Sequence, residues 1–290
     1  MTRVLSALVL IPVVVGTIWF LPAWGTVGLA LIAAALAFTE YRSLAGTLGL
    51  SVHAGVGGTA VVLTCIAMAI GGSPTDVIFD NRPLMAPNVV YLVMAGAMLV
   101  IGAVAVGTAA PGPTVLSSVA ATLFPIAYIG LPLGALAAVR GDLGDFAVRF
   151  DGLDYGRGRV AVLLLMVVIV VSDSAQYYTG RAFGRRPLAP TISPKKTVEG
   201  AIGGVVFGTL ATVAGGHYVF ASPLWVLALL GAALSLLGIV GDLFESLLKR
   251  SAGVKDSSNL IPGHGGVLDR IDSWLFAAPV YYVFVRFIAS

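Results

Sequence analysis

Nine apolar stretches, most of them close to twenty residues long, follow one another along this chain with only short interruptions. A helix needs roughly 20 apolar residues to cross the hydrocarbon of a bilayer, so this pattern limits the possible folds before any other feature is considered. The stretches lie at 4–24, 26–45, 52–72, 88–108, 115–139, 160–180, 197–220, 224–248 and 273–289. Pro22 with Gly25, Gly46 with Gly49, Gly72 with Pro74, Pro83 and Pro87, and Pro111 with Pro113 break the early ones by removing a backbone donor or loosening the chain. The fold class this predicts is all-α: a polytopic integral membrane protein of about nine transmembrane helices. Composition points the same way. Charged residues make up 11% of the 290, where a soluble domain carries about 25%, and the mean hydropathy is +0.98. A soluble enzyme is excluded.

The net charge of +3 does not indicate a nucleic-acid partner, because the 17 basic residues are scattered over loops and form no continuous basic face with aromatic platforms. Cys65, the only cysteine, lies in an apolar run, so one chain can build neither a disulfide framework nor a thiolate metal site. The first stretch ends without a small-x-small cleavage pattern and reads as a membrane anchor rather than a signal peptide.

The two halves differ in charge. Between Val4 and Val139 only Glu40, Arg42, Asp76, Asp80 and Arg82 are charged, and residues 1–139 read as a membrane scaffold of about five spans. Residues 140–290 read as a catalytic membrane half of about four spans, with two basic loops at 181–196 and 249–272. With nine helices, one side collects Arg3, Arg42, the five basic residues from Arg181 to Lys196 and the four from Lys249 to Arg270. The other side holds Arg82, Arg140, Arg149, Arg157, Arg159 and Arg286, with Asp142, Asp145, Asp151 and Asp154 among them. The positive-inside rule places the more basic side in the cytoplasm. The expectation is a multi-pass cell-membrane protein with a cytoplasmic N-terminus, an external C-terminus and both basic loops facing the cytoplasm. Gly200, Gly204 and Gly208, at four-residue spacing, mark a close helix-packing face.

Several ionisable groups stand where a bilayer makes them costly, at about 2.5–3.5 kcal/mol for an isolated Asp at the helix centre and less toward its ends. Asp173 ends an apolar run, Glu199 opens one, and Asp242 and Glu245 share a face near the end of another. Glu245 and Lys249, four apart, suit a structural ion pair. Asp242 has no basic residue three or four positions on and is the better ligand candidate. In the loop that follows, Lys249, Arg250, Lys255 and Arg270 supply four cations, and Gly263, Gly265 and Gly266 around His264 let backbone N–H groups approach an anion. Asp269 and Asp272 offer the hard oxygen ligands that Mg²⁺ takes together with substrate phosphates. The competing reading is that one of them caps the last helix while Lys249 and Arg250 reach for the interface. In Ser193-Pro194-Lys195-Lys196-Thr197, the two lysines beside a positive helix N-terminus repel each other unless an anion sits there. Plain lipid-headgroup contact is the alternative.

Residues 246–272 resemble the signature of the phosphatidate cytidylyltransferases, or CDP-diacylglycerol synthases. Ser246, Lys249-Arg250, Lys255-Asp256, His264-Gly265-Gly266, Asp269-Arg270 and Asp272 all stand at its specified places. Ser193 to Gly200 is similar to the family's Ser-Pro-Lys-Lys-Thr-x-Glu-Gly element, with Val198 where many members carry Trp. The resemblance covers roughly residues 165–290. It implies transfer of CMP from CTP to phosphatidic acid, giving CDP-diacylglycerol and pyrophosphate, with Mg²⁺ as cofactor, a second metal ion left open, and a homodimer. It also implies metal ligation by Asp242 and Asp269, with Asp272 and Asp173 as weaker ligands, and catalytic roles for Lys249, Arg250, His264 and Arg270. Substrate would be held by Ser193, Lys195, Lys196, Lys255, Gly265 and Gly266, and His264 would donate to phosphate rather than act as a base. Two other readings are a CDP-alcohol phosphatidyltransferase and a secondary transporter. The first expects Asp-Gly-x-x-Ala-Arg, and the local Asp151-Gly152-Leu153-Asp154-Tyr155-Gly156 lacks the Ala-Arg. The second leaves the Lys/Arg/Gly/His loop unexplained.

Overall fold

The computed structural model describes residues 2–71, 78–79, 82–83, 89–142, 147–150 and 153–289. The predicted breaks at Gly72, Pro74 and Pro87, and Asp76, Asp80, Asp145 and Asp151, lie outside the described residues, as do the side chains of Arg3, Arg82, Pro83, Asp142, Arg149 and Asp154.

Helical rods occupy the nine predicted stretches: α1 (Thr2–Phe20), α2 (Ala23–Thr47), α3 (Ala54–Gly71), α4 (Val89–Thr108), then α5 (Val115–Pro125) running through a π turn (Ile126–Gly130) into α6 (Leu131–Asp142). After them come α7 (Arg157–Phe183), α8 (Val198–Val219), α9 (Leu224–Ser251) and α10 (Leu268–Phe287). Among the described residues six rods are long and apolar enough to cross a membrane: α2, α4, the α5–α6 rod, α7, α8 and α9. The apolar parts of α1 and α3 are shorter, and α10 opens on Asp269, Arg270 and Asp272 and contains Pro279. Large apolar side chains such as Leu99, Val106, Ile202 and Leu229 point outward, which suits a hydrocarbon surrounding and not water.

Two features depart from the sequence expectation. The π turn follows Pro125, which has no N–H to give the ladder, and the rod reopens its hydrogen bonding there. The connections are also not all irregular. Ala147–Phe150 pairs antiparallel with Leu153–Gly156, residues 78–79 pair with 82–83, and Pro187–Ala189 pairs with Ser193–Thr197. The Ser193–Thr197 segment is therefore a strand of a small hairpin, where a loop ending in a fixed turn was expected.

Close backbone approach fixes the packing of the second half. A Cβ on Gly200 would lie 2.8 Å from the Gln176 carbonyl oxygen, and one on Gly204 would meet Gln176 and Ser172. The four-residue glycine face of α8 thus lies directly on α7, as its spacing predicts. Likewise Gly241 of α9 lies against the Asp272 backbone of α10, which brings Asp242 beside Asp272. One apolar core gathers Val162, Leu165, Leu227, Leu234, Tyr281 and Phe284, with Ile18 of α1 joining it. A second gathers Phe38, Val61, Ile101, Ile129 and Leu133, and takes in Leu268 and Leu275 of α10. Thus α10 joins the two cores, its first turn packed in the second and its later turns in the first.

Candidate active site

The site is built on the end of α9, the loop 252–267 and the first turn of α10. α9 ends at Ala252, where Gly253 adopts φ 71°. There the Val254 N–H donates to the Lys249 carbonyl (2.9 Å), and Arg250 Nη1 donates to the Val254 carbonyl (2.9 Å). Gly263 (φ 76°) and Gly265 (φ 78°) then turn the chain through a tight bridge between Ile261 and Gly265, with the His264 N–H on the Ile261 carbonyl. Positive φ at these positions is costly for residues with a side chain, so the glycines flanking His264 are required by the turn itself.

Asp269 is the centre of the loop. One carboxylate oxygen accepts from Lys249 Nζ at 2.5 Å, and the other lies 2.9 Å from the Ser257 N–H, 2.9 Å from Ser257 Oγ and 2.7 Å from the Gly266 N–H. It stands ahead of the apolar run that starts at residue 273. Burial raises its carboxyl, but the hydrogen bonds from Lys249, Gly266 and Ser257 outweigh that and hold it at about 2. The charge is permanent at neutral pH.

Lys249 is buried and touches the carboxylates of both Glu245 and Asp269. The Glu245–Lys249 ion pair suggested by their spacing is present, and the Lys249 ammonium lies between two buried acids. The Gly266 N–H is given to Asp269. Lys196 forms an ion pair with Asp242, whose other oxygen accepts from Ser246 Oγ at 3.3 Å. The charge that Lys195 and Lys196 bring to the start of α8 is thus answered in part by the Asp242 carboxylate, and of the two lysines Lys195 is the exposed one. Thr197 caps α8 as its position suggests, accepting from the Gly200 N–H, and Glu199 holds the preceding turn through the N–H groups of Arg185 and Arg186.

Arg250, Lys255 and Arg270 are exposed and leave a cationic rim around the loop. His264 is half-buried, with Nδ1 2.6 Å from Ser6 Oγ of α1, so only its far nitrogen is left to face an anion. Ser193 is half-buried in its strand, and Gly265 accepts the Ile261 N–H.

The carboxylates of Asp173, Asp242 and Asp272 lie close enough to repel one another. Asp272 is half-buried, Asp173 is exposed and takes a hydrogen bond from Gln176 at 3.1 Å. No set of three ligating side chains at metal-binding distances occurs among the described residues, but Mg²⁺ ordinarily takes one or two carboxylates and completes its shell with water and substrate phosphates. Three carboxylates answered by one cation, Lys196, leave net negative charge on hard oxygens, which fits such a cation. Asp269 fits less well, since Lys249, Ser257 and Gly266 already occupy it.

Sequence reasoning overlooked Glu40, Ser6, Ser257 and Ser258. Glu40 was visible as a lone acid in an apolar run, and such a residue in a bilayer protein signals a buried partner. Its partners lie more than 200 residues away, which no local pattern reveals.

Comparison with known proteins agrees with the signature. The family described as the cytidylyltransferase family matches residues 1–288. A phosphatidate cytidylyltransferase of Staphylococcus haemolyticus is 39% identical over 54% of this chain and 55% of its own length. Another from a Synechocystis species is 42% identical over 51% of this chain and 56% of its own, and one from Aquifex aeolicus is 44% identical over 42% and 46%. The chain spans about half the length of the curated relatives it matches.

Proposed function

The chain belongs to the cytidylyltransferase family, and on that premise we propose that it transfers CMP from CTP to phosphatidic acid, releasing CDP-diacylglycerol and pyrophosphate. A non-bridging oxygen of the lipid phosphate attacks the α-phosphorus of CTP, the bond to the β-phosphate breaks, and pyrophosphate leaves with its electron pair. A phosphate monoester has a second pKa of about 6, so the nucleophile is already a dianion and needs no strong base. Charge is the obstacle. Catalysis of such a step rests on alignment and neutralisation, and the observation that carries the proposal is the pairing of an acidic group drawn from α7, α9 and α10 with a cationic rim around the loop that joins α9 to α10.

The exposed Lys195, Arg250, Lys255 and Arg270 hold triphosphate and lipid phosphate, and the far nitrogen of His264 faces one of them. Lys196, paired with Asp242, would be free to meet phosphate if that carboxylate held a cation. Asp242, Asp272 and Asp173 would hold Mg²⁺, which supplies neutralisation of the phosphates, and Asp269 joins them only by giving up Lys249. The membrane arrangement completes the proposal: nine spans, a cytoplasmic N-terminus and an external C-terminus. Residues 1–139 support the catalytic half 140–290, and the acyl chains enter sideways between helices. Purified protein in detergent, given CTP, Mg²⁺ and phosphatidic acid, should release pyrophosphate and CDP-diacylglycerol in equal amounts. Pyrophosphate release that does not depend on the lipid would refute the assignment.

A further inference from the structure

We propose that Glu40 of α2 is a positioning residue of this transfer site, holding the loop 257–268 and the start of α10 in the geometry that the reaction uses; the proposal rests on the transfer reading above. Glu40 is 5% exposed, and its carboxylate is filled from four directions. One oxygen accepts from Ser258 Oγ at 2.7 Å and the Val267 N–H at 2.9 Å. The other accepts from Ser257 Oγ at 3.0 Å and the Leu268 N–H at 2.7 Å.

The first N–H groups of a helix have no partner within it, and Val267, at the N-cap of α10, offers no side-chain acceptor. Glu40 serves as the cap from a different helix, with its negative charge at the positive end of the α10 dipole. Neither Asp269 nor Asp272 fills that place. Asp269 bonds back to Gly266 and Ser257, and Asp272 accepts from the Ser273 N–H. The three anchors converge: a Cβ on Gly266 would collide with Ser257 Oγ and both Glu40 oxygens. Ser257 Oγ lies within 3.0 Å of Glu40 and 2.9 Å of Asp269. The stretch so held separates Lys255 from Arg270 and contains His264, so slack there moves the phosphate-binding groups relative to one another. Ser6 of α1 secures the same turn through His264 and the Pro262 carbonyl (3.1 Å).

Glutamine at this position separates charge and geometry from mere volume. Each carboxylate oxygen receives one backbone N–H, which can only donate, so a glutamine amide opposes an N–H whichever way it is turned. The serine hydroxyls can rotate, but the N–H groups cannot. Leaving one such donor unpaired corresponds to a roughly 10- to 100-fold effect. Glu40→Gln should therefore lower kcat by about 10- to 100-fold while KM for phosphatidic acid stays within about twofold. Glu40→Asp, which keeps both acceptors, should recover part of the loss. Amide hydrogen exchange should quicken in peptides covering 257–268 of Glu40→Gln, with the membrane part of α9 unchanged.

A Glu40→Gln protein that melts earlier but turns over at the wild-type kcat would overturn the proposal, because it would make Glu40 a stability residue alone. If that variant does not fold, Ser258→Ala removes one donor at the edge of the contact and should still lower kcat with KM for phosphatidic acid unchanged; an unaltered kcat overturns the proposal as well. A wild-type chain without CMP transfer would overturn the transfer reading and this inference together. An active wild type with kcat unchanged in Glu40→Gln removes this inference alone.

Discussion

Replacing Lys249 with methionine separates two accounts of the signature lysine. A phosphate contact removed from an open site should weaken CTP use and leave the fold intact. The structure places the ammonium elsewhere, buried between Glu245 and Asp269 with its side chain 10% exposed and Glu245 fully buried. Methionine fills a similar volume but strands Glu245 and leaves Asp269 to its Ser257 and Gly266 donors, and breaking a buried ion pair from one side costs about 3–5 kcal/mol. The upper end applies here, because Glu245 has no other hydrogen-bond partner among the described residues. At roughly 2–4 °C per kcal/mol for chains approaching this size, the detergent-solubilised protein should melt about 10 °C below wild type, read by loss of the monodisperse chromatographic peak after heating. Glu245→Gln added to Lys249→Met neutralises one stranded acid and should restore a good part of the loss, as expected for directly coupled residues. A Lys249→Met protein that melts with wild type and shows only a raised KM for CTP would refute the buried-pair account and return the lysine to the substrate.

Asp269→Asn tests the loop anchor: since one amide end must oppose either Lys249 or the N–H groups of Ser257 and Gly266, a stability loss of about 1.5–3 kcal/mol is expected, measured as the same thermal shift, and added Mg²⁺ should not restore it. Lys195→Ala should raise KM for CTP without a thermal shift, whereas Lys196→Ala should also alter the Mg²⁺ dependence of turnover, because it uncovers Asp242. For topology, the exposed Ala221 and Asn259 lie at opposite ends of the α8–α9 pair. In a Cys65→Ser background, Ala221→Cys should react with an impermeant thiol reagent on intact cells and Asn259→Cys only after permeabilisation.

Much of this architecture is local and was therefore legible in the sequence. Apolar length alone separates helices from their connections, since backbone polar groups in a bilayer must be satisfied within the segment, and among the described residues the helical rods fall where the apolar runs do, six of them long and apolar enough to cross a membrane. The glycine face of α8 and the Thr197 cap are likewise local, determined by residues three or four positions apart. The signature between Ser246 and Asp272 pointed to the family because its residue types stand at fixed spacings along one stretch of chain. What those side chains touch was decided by tertiary packing. Lys249 and the Gly266 N–H look available to phosphate when the chain is read in order, but the approach of α10 to α9 at Gly241 and Asp272 brings Asp269 onto both. Lys196 meets Asp242 across 46 positions and Glu40 meets Leu268 across 228. A buried charge must find its partner somewhere, and the sequence announces that need at Glu40 without saying where it is met. Only the fold brings α2, from the first fifty residues, against the loop that carries the signature.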